Sequence, residues 1–545
     1  MQRIGFAFLG WFFLSSQSVH LHAAGTELTT VIARGPHENV IQTVQPDGTT
    51  NTFTHLQTGL NRWSGTEYIP ASAEVEVVNG VPLARKTQYQ VIFGATLDAP
   101  EGAVDCLMPD RRRFRVRPQG IAYTEFQSGQ PGRSVFVAET KASTPEVTGR
   151  SEVTYTDALS GGAGSIRYRV SISGLEQDLL LEGPLPKPSD FQMNEALVRV
   201  EVWNEILESP APERQATAIT RKDGSLDRDE ELHFGTMLLG SGSAFLVDEA
   251  GNQNSVRVAR QWQDAEGQVW LIESAPYSEL KPLLAAVQGR AQARHIDHEQ
   301  LERLSAASSA RKRPLSLAAI SSPPAEDDKW ERMASARPGT SRREPALLWD
   351  WTLLTTATNF NFKGDTTWYC NGPVTLSATG TNATLIEGGT CVKFTNSTAA
   401  QITIVGPISC QSSPYRIAAF VSKDRDDVGE KITGSTGNPT GYYGAGLKIS
   451  STTLSNLRFS DANTAIDLND NQPLNVWDCQ FVRCFNPILA RLNNTVNLEN
   501  VLCFASDRLV ERGPVTLRGA HVTLDEVGSV GAGLSEPSHV YPSVA

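Results

Sequence analysis

Between Leu454 and Val510 the chain repeats itself every 22 residues, and that interval constrains its fold more than any other feature. Leu454, Val476 and Leu498 share one phase. Leu457, Cys479 and Val501 share a second, Phe459, Phe481 and Cys503 a third, and Ile466, Ile488 and Val510 a fourth. Asn456, Asp478 and Asn500 run in step with them. A fixed period of this size predicts a solenoid. The apolar positions straddle a bend after Asn456 and do not recur every three or four residues, so stacked helices fit poorly. Short strands joined by bends fit well, each pairing with its counterpart one coil away. The expected fold is a parallel β-helix, with the right-handed sense that parallel connections favour. One coil buries too little to offset the ordering of its own backbone, so the coils must stabilise one another along the axis.

The Asx column has a structural reason. Asn tolerates the left-handed conformation of a sharp bend and bonds nearby backbone. Asn456, Asp478 and Asn500 therefore predict a ladder in which the Asp478 carboxylate accepts from amides on either side.

The first half of the chain has a different texture. AEVEVVNG, TQYQVIFGA, RRRFRVR, SVFVAET, SIRYRVSIS and ALVRVEVW alternate as half-buried strands do, with Gly, Pro and Asp signals between them. VRVARQWQDAEGQVWLIES predicts a hairpin turning between Asp264 and Gly267, followed by a short helix in SELKPLLAAV. The fold class is therefore mainly β: an antiparallel β-sandwich-like module at 25–289, then a parallel β-helix at 346–526. Residues 290–345 are charged and rich in Pro, Ser and Ala, as a linker is. Residues 527–545 are expected to be a flexible tail.

At 545 residues the chain is too long for one ordinary core, which agrees with two modules. Its net charge of −12 argues against general nucleic-acid binding. At the N-terminus Arg3 precedes an apolar run from Ile4 to Leu14, and Ala23, Ala24 and Gly25 follow. This predicts a signal peptide over 1–24, and hence a secreted or cell-surface protein without a later membrane helix. Seven cysteines fall short of a disulfide scaffold; Cys479 with Cys503, or Cys391 with Cys410, are one coil apart and leave bridging open.

The stretches FKGDTTWYCNGPVTLSATGTNATLIEGGTCVKF and SPYRIAAFVSKDRDDVGEKITGSTGNPTGYYGAGL resemble the right-handed parallel β-helix segment of large secreted bacterial proteins. GLNRWSGTEYIPASAEVEV, VIFGATL, GLEQDLLLEGPLP and ELHFGTMLLGSGSAF are similar to the β-rich region that precedes it there. Relatives of this layout often continue into RHS/YD-type repeats, which this sequence does not display. The resemblance implies architecture and supplies no active site.

Candidate chemistry concentrates in one segment. KDRDDVGE offers Asp424, Asp426, Asp427 and Glu430 as oxygen ligands for Ca²⁺, without an EF-hand spacing. TGSTGNPTGYYGAG predicts a protruding loop in which Tyr442 and Tyr443 stack on sugars and Asn438 bonds their hydroxyls. Arg113, Arg115 and Arg117 form one face of a strand, with Phe114 and Val116 facing inward. Catalysis by a β-helix lyase or glycosidase needs acids gathered on adjacent coils. Here Asp461 aligns with Arg483 and Ala505, and Asp467 with Leu489 and Glu511, so no outward column accumulates them. The expected function is a structural or adhesion protein of the cell exterior that meets extracellular polysaccharide or envelope components through 424–443. A polysaccharide lyase or glycoside hydrolase is the alternative, and the leading piece of a larger RHS-like surface protein a third.

Overall fold

A computed structural model of the chain describes residues 28–292 and 347–541, except 46, 128, 241, 247–254, 266, 451, 471, 491–493, 512–514 and 531–538. The expected signal segment lies outside the described residues, as do nearly all of the expected linker and most of the tail.

The C-terminal half is a parallel β-solenoid of about seven turns. Its turns stack in three parallel ladders. One ladder runs through Thr367–Cys370, Cys391–Phe394, Ala418–Ser422, Leu457–Ser460 and Gln480–Val482. A second runs through Pro373–Ser377, Gln401–Val405, Tyr443–Ile449, Ala462–Leu468 and Asn486–Ala490. The third includes Thr384–Glu387 over Ile408–Gln411, and Thr453–Ser455 over Leu474–Trp477.

The repeat columns meet in one dry interior. Leu454 lies over Val476 and Leu498, and Phe459 over Phe481 and Cys503. All of these, with Leu457, Cys479, Val501, Ile466, Ile488 and Val510, are buried in a single core. The aromatic column stacks face to face: the Phe420 and Phe459 rings are 5.0 Å apart, and those of Phe459 and Phe481 5.6 Å at 11°. Offset rings at such separations attract beyond their burial, which reinforces register from coil to coil.

The sequence alone does not show that strands are exchanged between the two modules. Leu28–Arg34, Glu38–Val44 and Thr50–Leu56 form an antiparallel meander. Its last strand runs parallel to Trp368–Cys370, so it extends the first ladder and covers the end of the solenoid. Leu56 enters the solenoid core, and Thr58 exchanges hydrogen bonds with the Thr375 backbone 317 residues away. Conversely, Leu347–Thr355, which the sequence reading places with the β-helix, pairs antiparallel with Gly174–Leu181 on one edge. Its other edge pairs with Met237–Gly240 and Gly242–Leu246. Its alternation LLWDWTLLT suits a strand at the centre of a sheet.

The antiparallel module is a continuous network. From Leu347–Thr355 the pairing passes through Gly242–Leu246, Ser255–Ala265, Gln268–Pro276 and Val198–Glu208 to the long strand Arg113–Gln127. The expected hairpin is formed by Ser255–Ala265 and Gln268–Pro276. Two apolar cores fill the module, and the helix Tyr277–Gln292 closes the second with Tyr277, Leu280, Leu283 and Val287.

The interior of this module also holds charge. Glu273 and Arg260 face each other across the hairpin and are both fully buried. Arg260 donates to the Leu239 carbonyl at 2.7 Å, and its backbone N–H donates to Asp229 at 2.8 Å. Burial pushes the Glu273 carboxyl up to about 8; Arg260 opposes the rise, while Asp350 and Asp229 add repulsion. Asp350 stands directly across from buried Asp178 and is pushed up to about 6, again chiefly by burial.

Candidate functional site

Each of the last four solenoid coils turns two sharp corners, and the backbone there is left-handed. The first corner carries Asn456, Asp478, Asn500 and His521, with φ of 54°, 52°, 52° and 54°. The second carries Asp461, Arg483, Ala505 and Glu526, with φ of 64°, 53°, 49° and 53°. In this conformation the corner N–H points along the axis. Asn456 and Asp478 donate to the carbonyls of Trp477 and Glu499 in the next coil, as Asp461 and Arg483 do to Val482 and Phe504. Asn, Asp and His are the residues that visit this conformation most readily. Arg, Ala and Glu are not, so the second corner carries no signature in its residue types.

The Asx ladder is made on one side. Asn500 Nδ2 donates to Asp478 Oδ1 at 2.6 Å, whereas Asn456 turns its amide to the Ser412 carbonyl at 3.4 Å. A parallel ladder missed by the sequence reading runs beside it: Asn497 donates to Asn475 at 2.8 Å, and Asn475 to Thr453 at 3.1 Å. The signal was available, because these three also lie 22 residues apart.

The segment 423–442 is tied back to the solenoid at several points. It crosses the outer face of the first ladder as a strap. Val428 packs on Cys391, Ala419 and Val421. Buried Lys393 rises from the sheet and donates to the Arg425 carbonyl at 2.6 Å; burial pulls its pKa down against the opposing pull of Cys391 and the strap's acids. Arg425 reaches back to Asp461, Nε to Oδ2 at 2.8 Å, and Arg483 approaches the same carboxylate at 3.4 Å. Asp461 is 1% exposed, so it is a buried charge held by two guanidinium groups. Arg483 also donates to the Pro439 carbonyl at 2.9 Å, which fixes the far end of the strap.

Gly429 is the point of closest approach. Its φ is 63°, and a Cβ would stand 2.6 Å from Cys391 Sγ and 2.7 Å from Thr367 Oγ1. Gly429→Ala is therefore expected to lower stability by about 1–3 kcal/mol, combining the left-handed penalty with displacement of the strap. A urea midpoint identical to that of the parent would contradict this packing.

These contacts decide the fate of the expected site residues. Asp424 is buried and accepts from Asn396 at 2.7 Å, the Thr436 N–H at 2.8 Å and Lys423 at 3.1 Å. Its burial alone would raise the carboxyl, but these donors outweigh it and hold the pKa below the usual carboxylate value. Asp426 accepts from Ser435 at 2.6 Å, and Asp427 is exposed near Arg425 at 3.6 Å. The Glu430 backbone, not its carboxylate, makes a bond here, to Thr367 at 2.8 Å. The expected Ca²⁺ set is thus spread along the strap, and no group of three or more His, Cys, Asp or Glu side chains lies together as metal ligands among the described residues.

The expectation for Tyr443 requires correction. This residue is fully buried, stacked on Phe394 at 4.3 Å and 10°, with its hydroxyl donating to the Phe420 carbonyl at 3.1 Å. It begins the strand whose Tyr443, Leu447 and Ile449 enter the solenoid core, and their even spacing is legible in GYYGAGLKI. Tyr442 points the other way, 46% exposed, and Asn438 is exposed beside it in sequence. The Tyr442 ring lies 6.1 Å from that of Phe485, itself 37% exposed, and Arg508 sits over Phe485 at 5.8 Å. Phe485 and Arg508 escaped the sequence reading because their proximity to Tyr442 arises only from coil stacking.

The arginine stretch is a paired surface. Phe114 and Val116 are buried as expected, while Arg113 bonds Asp105 at 2.7 Å and Arg117 bonds Glu205. All seven cysteines are free thiols, and six of them are buried. No described helix is long and apolar enough to cross a membrane. Comparison of the chain with family models, with curated proteins and with solved structures returns no match.

Proposed function

We propose that the chain is a non-catalytic scaffold or adhesion protein of the cell exterior, and that its solenoid meets polysaccharide at the corner carrying Tyr442, Phe485 and Asn438. The observation that carries this reading is the exposed Tyr442–Phe485 pair, two rings from coils on either side of the Ala462–Leu468 coil, beside the strap. Aromatic faces suit the CH surfaces of sugars, and Asn438 supplies hydrogen-bonding groups nearby. The strap's most buried acid, Asp424, has its oxygens committed to Asn396, Thr436 and Lys423. Asp461 is likewise committed to two arginines. These acids act as ties, which favours a scaffold over acid/base chemistry at this face. The N-terminal charged and apolar segment supports export.

The test is a screen of the purified chain against neutral and uronate-containing glycans, with and without Ca²⁺. Binding without turnover is expected, weakened by Tyr442→Ala and by Phe485→Ala with the unfolding midpoint unchanged. Turnover that disappears in Asp426→Ala and Asp427→Ala would replace the scaffold reading with the lyase or hydrolase one.

A further inference from the structure

The antiparallel module carries an aromatic row of its own, remote in sequence from the solenoid corner. Phe136, Trp203 and Trp270 come from three different strands: Gln130–Glu139, Val198–Glu208 and Gln268–Pro276. Their rings touch in sequence across the outer face, Phe136 to Trp203 at 5.9 Å and Trp203 to Trp270 at 5.4 Å. Phe136 is 38% exposed and both indoles are half-buried. The pairing register shows how they align. Phe136 is opposite Ala122, Trp203 opposite Gly120, and Trp270 opposite Glu205, so the rings form a diagonal and their neighbours at two positions are small.

The row is one ring wide; buried Ile272 stands opposite Trp203, and the groups beyond it are polar. On one side stand Glu201 and Gln261; on the other stand Gln119, Arg117 and Glu205. Arg117 is paired with Glu205, and Glu201 is buried beneath neutral donors. Arg117 Nε donates to Glu205 at 3.0 Å, Gln119 adds a bond of 3.0 Å to the same carboxylate, and the Trp203 indole N–H donates to Glu201 at 2.9 Å. Beyond Trp270 lies Gln263, directly opposite it and bonded to Gln261 at 2.9 Å.

We infer that this face binds a neutral polysaccharide chain along the Phe136–Trp203–Trp270 diagonal. A ribbon of aromatic surface edged with amides matches a polymer whose rings present CH faces and whose edges present hydroxyls. A protein partner would require a broader apolar patch with a dry centre. An anionic glycan would require unpaired cations, and Arg117 is already committed to Glu205. The inference is independent of the solenoid corner, since the two sites share no residue.

The experiment uses the full chain in affinity electrophoresis through gels containing soluble β-glucan, glucomannan, xylan or polygalacturonate, with tryptophan emission as a second readout. The expected result is retardation by at least one neutral polymer, a shift in emission on binding, and about tenfold weaker retardation for Phe136→Ala. Trp203→Phe, which keeps a ring in the row, should retain binding but lose part of the emission shift. Retardation that survives Phe136→Ala and disappears only in Tyr442→Ala would overturn the inference and leave the solenoid corner as the site. Retardation by polygalacturonate alone, or by none of the polymers, would also overturn it. So would a self-association abolished by Phe136→Ala, which would assign the face to a second copy of the chain.

Discussion

Arg425→Met is expected to destabilise the protein by about 3–5 kcal/mol, the usual cost of leaving one member of a buried ion pair without its partner. Asp461 would remain in the interior with Arg483 at 3.4 Å as its one remaining cation among the described residues, after losing the tighter contact at 2.8 Å. The methionine keeps most of the apolar stem, so the loss reports charge more than packing. Adding Asp461→Asn should recover most of it. Asn tolerates the left-handed corner, needs no counter-ion, and retains an acceptor for the remaining guanidinium. The measurement is urea unfolding of the two single variants and the double. If the double variant is as unstable as Arg425→Met, the strap is not held by a charge in need of pairing, and the account of this corner is wrong. Limited proteolysis within 423–442 should follow the same order.

Glu273→Gln is expected to stabilise the protein in mildly alkaline solution and to do almost nothing near pH 4.5. In the native state the Glu273 carboxyl titrates at about 8, chiefly because it is buried, whereas in the unfolded chain it ionises near its ordinary value of 4.5. Below that value both states are protonated and the residue is neutral with respect to stability. Between the two values the unfolded state releases its proton and the native state does not, so stability falls as pH rises, by about 1.4 kcal/mol per unit. The whole span amounts to about 3–5 kcal/mol by pH 8. Asp350, also raised by burial, adds a decline of the same sign between its ordinary value and about 6. The difference between the parent and Glu273→Gln isolates Glu273 from the lowered carboxyls, such as Asp424, whose contribution runs the other way in acid. Melting curves of the two proteins from pH 5 to pH 8 should diverge with pH; curves that stay parallel would show that Glu273 is ionised when folded.

The solenoid was legible because its information is local and periodic. Phe459, Phe481 and Cys503 needed only an interval to be placed over one another, and the stacked rings follow from that. Tyr443 could have been placed inside by the same alternation, had the segment before it not been taken for a projecting loop. The strap was not legible, because Arg425 and Asp461 are 36 residues apart and neither lies on a repeat that names the other. The Phe136–Trp203–Trp270 row is hidden for a related reason. Strand alternation gives each ring a face, but only the order of strands brings three faces together. The second left-handed corner is hidden more deeply, since nothing about an arginine or an alanine predicts a positive φ.

The exchange of strands between the two modules bears on how the chain can be made. Synthesis proceeds from the N-terminus, yet Thr50–Leu56 finds its parallel partner only when Trp368–Cys370 has emerged. The antiparallel module likewise waits for Leu347–Thr355 before its central seam can close. Pairings of such sequence separation form late and slowly. Thr50–Leu56 thus emerges long before it is settled, and it is the strand that covers the end of the coil.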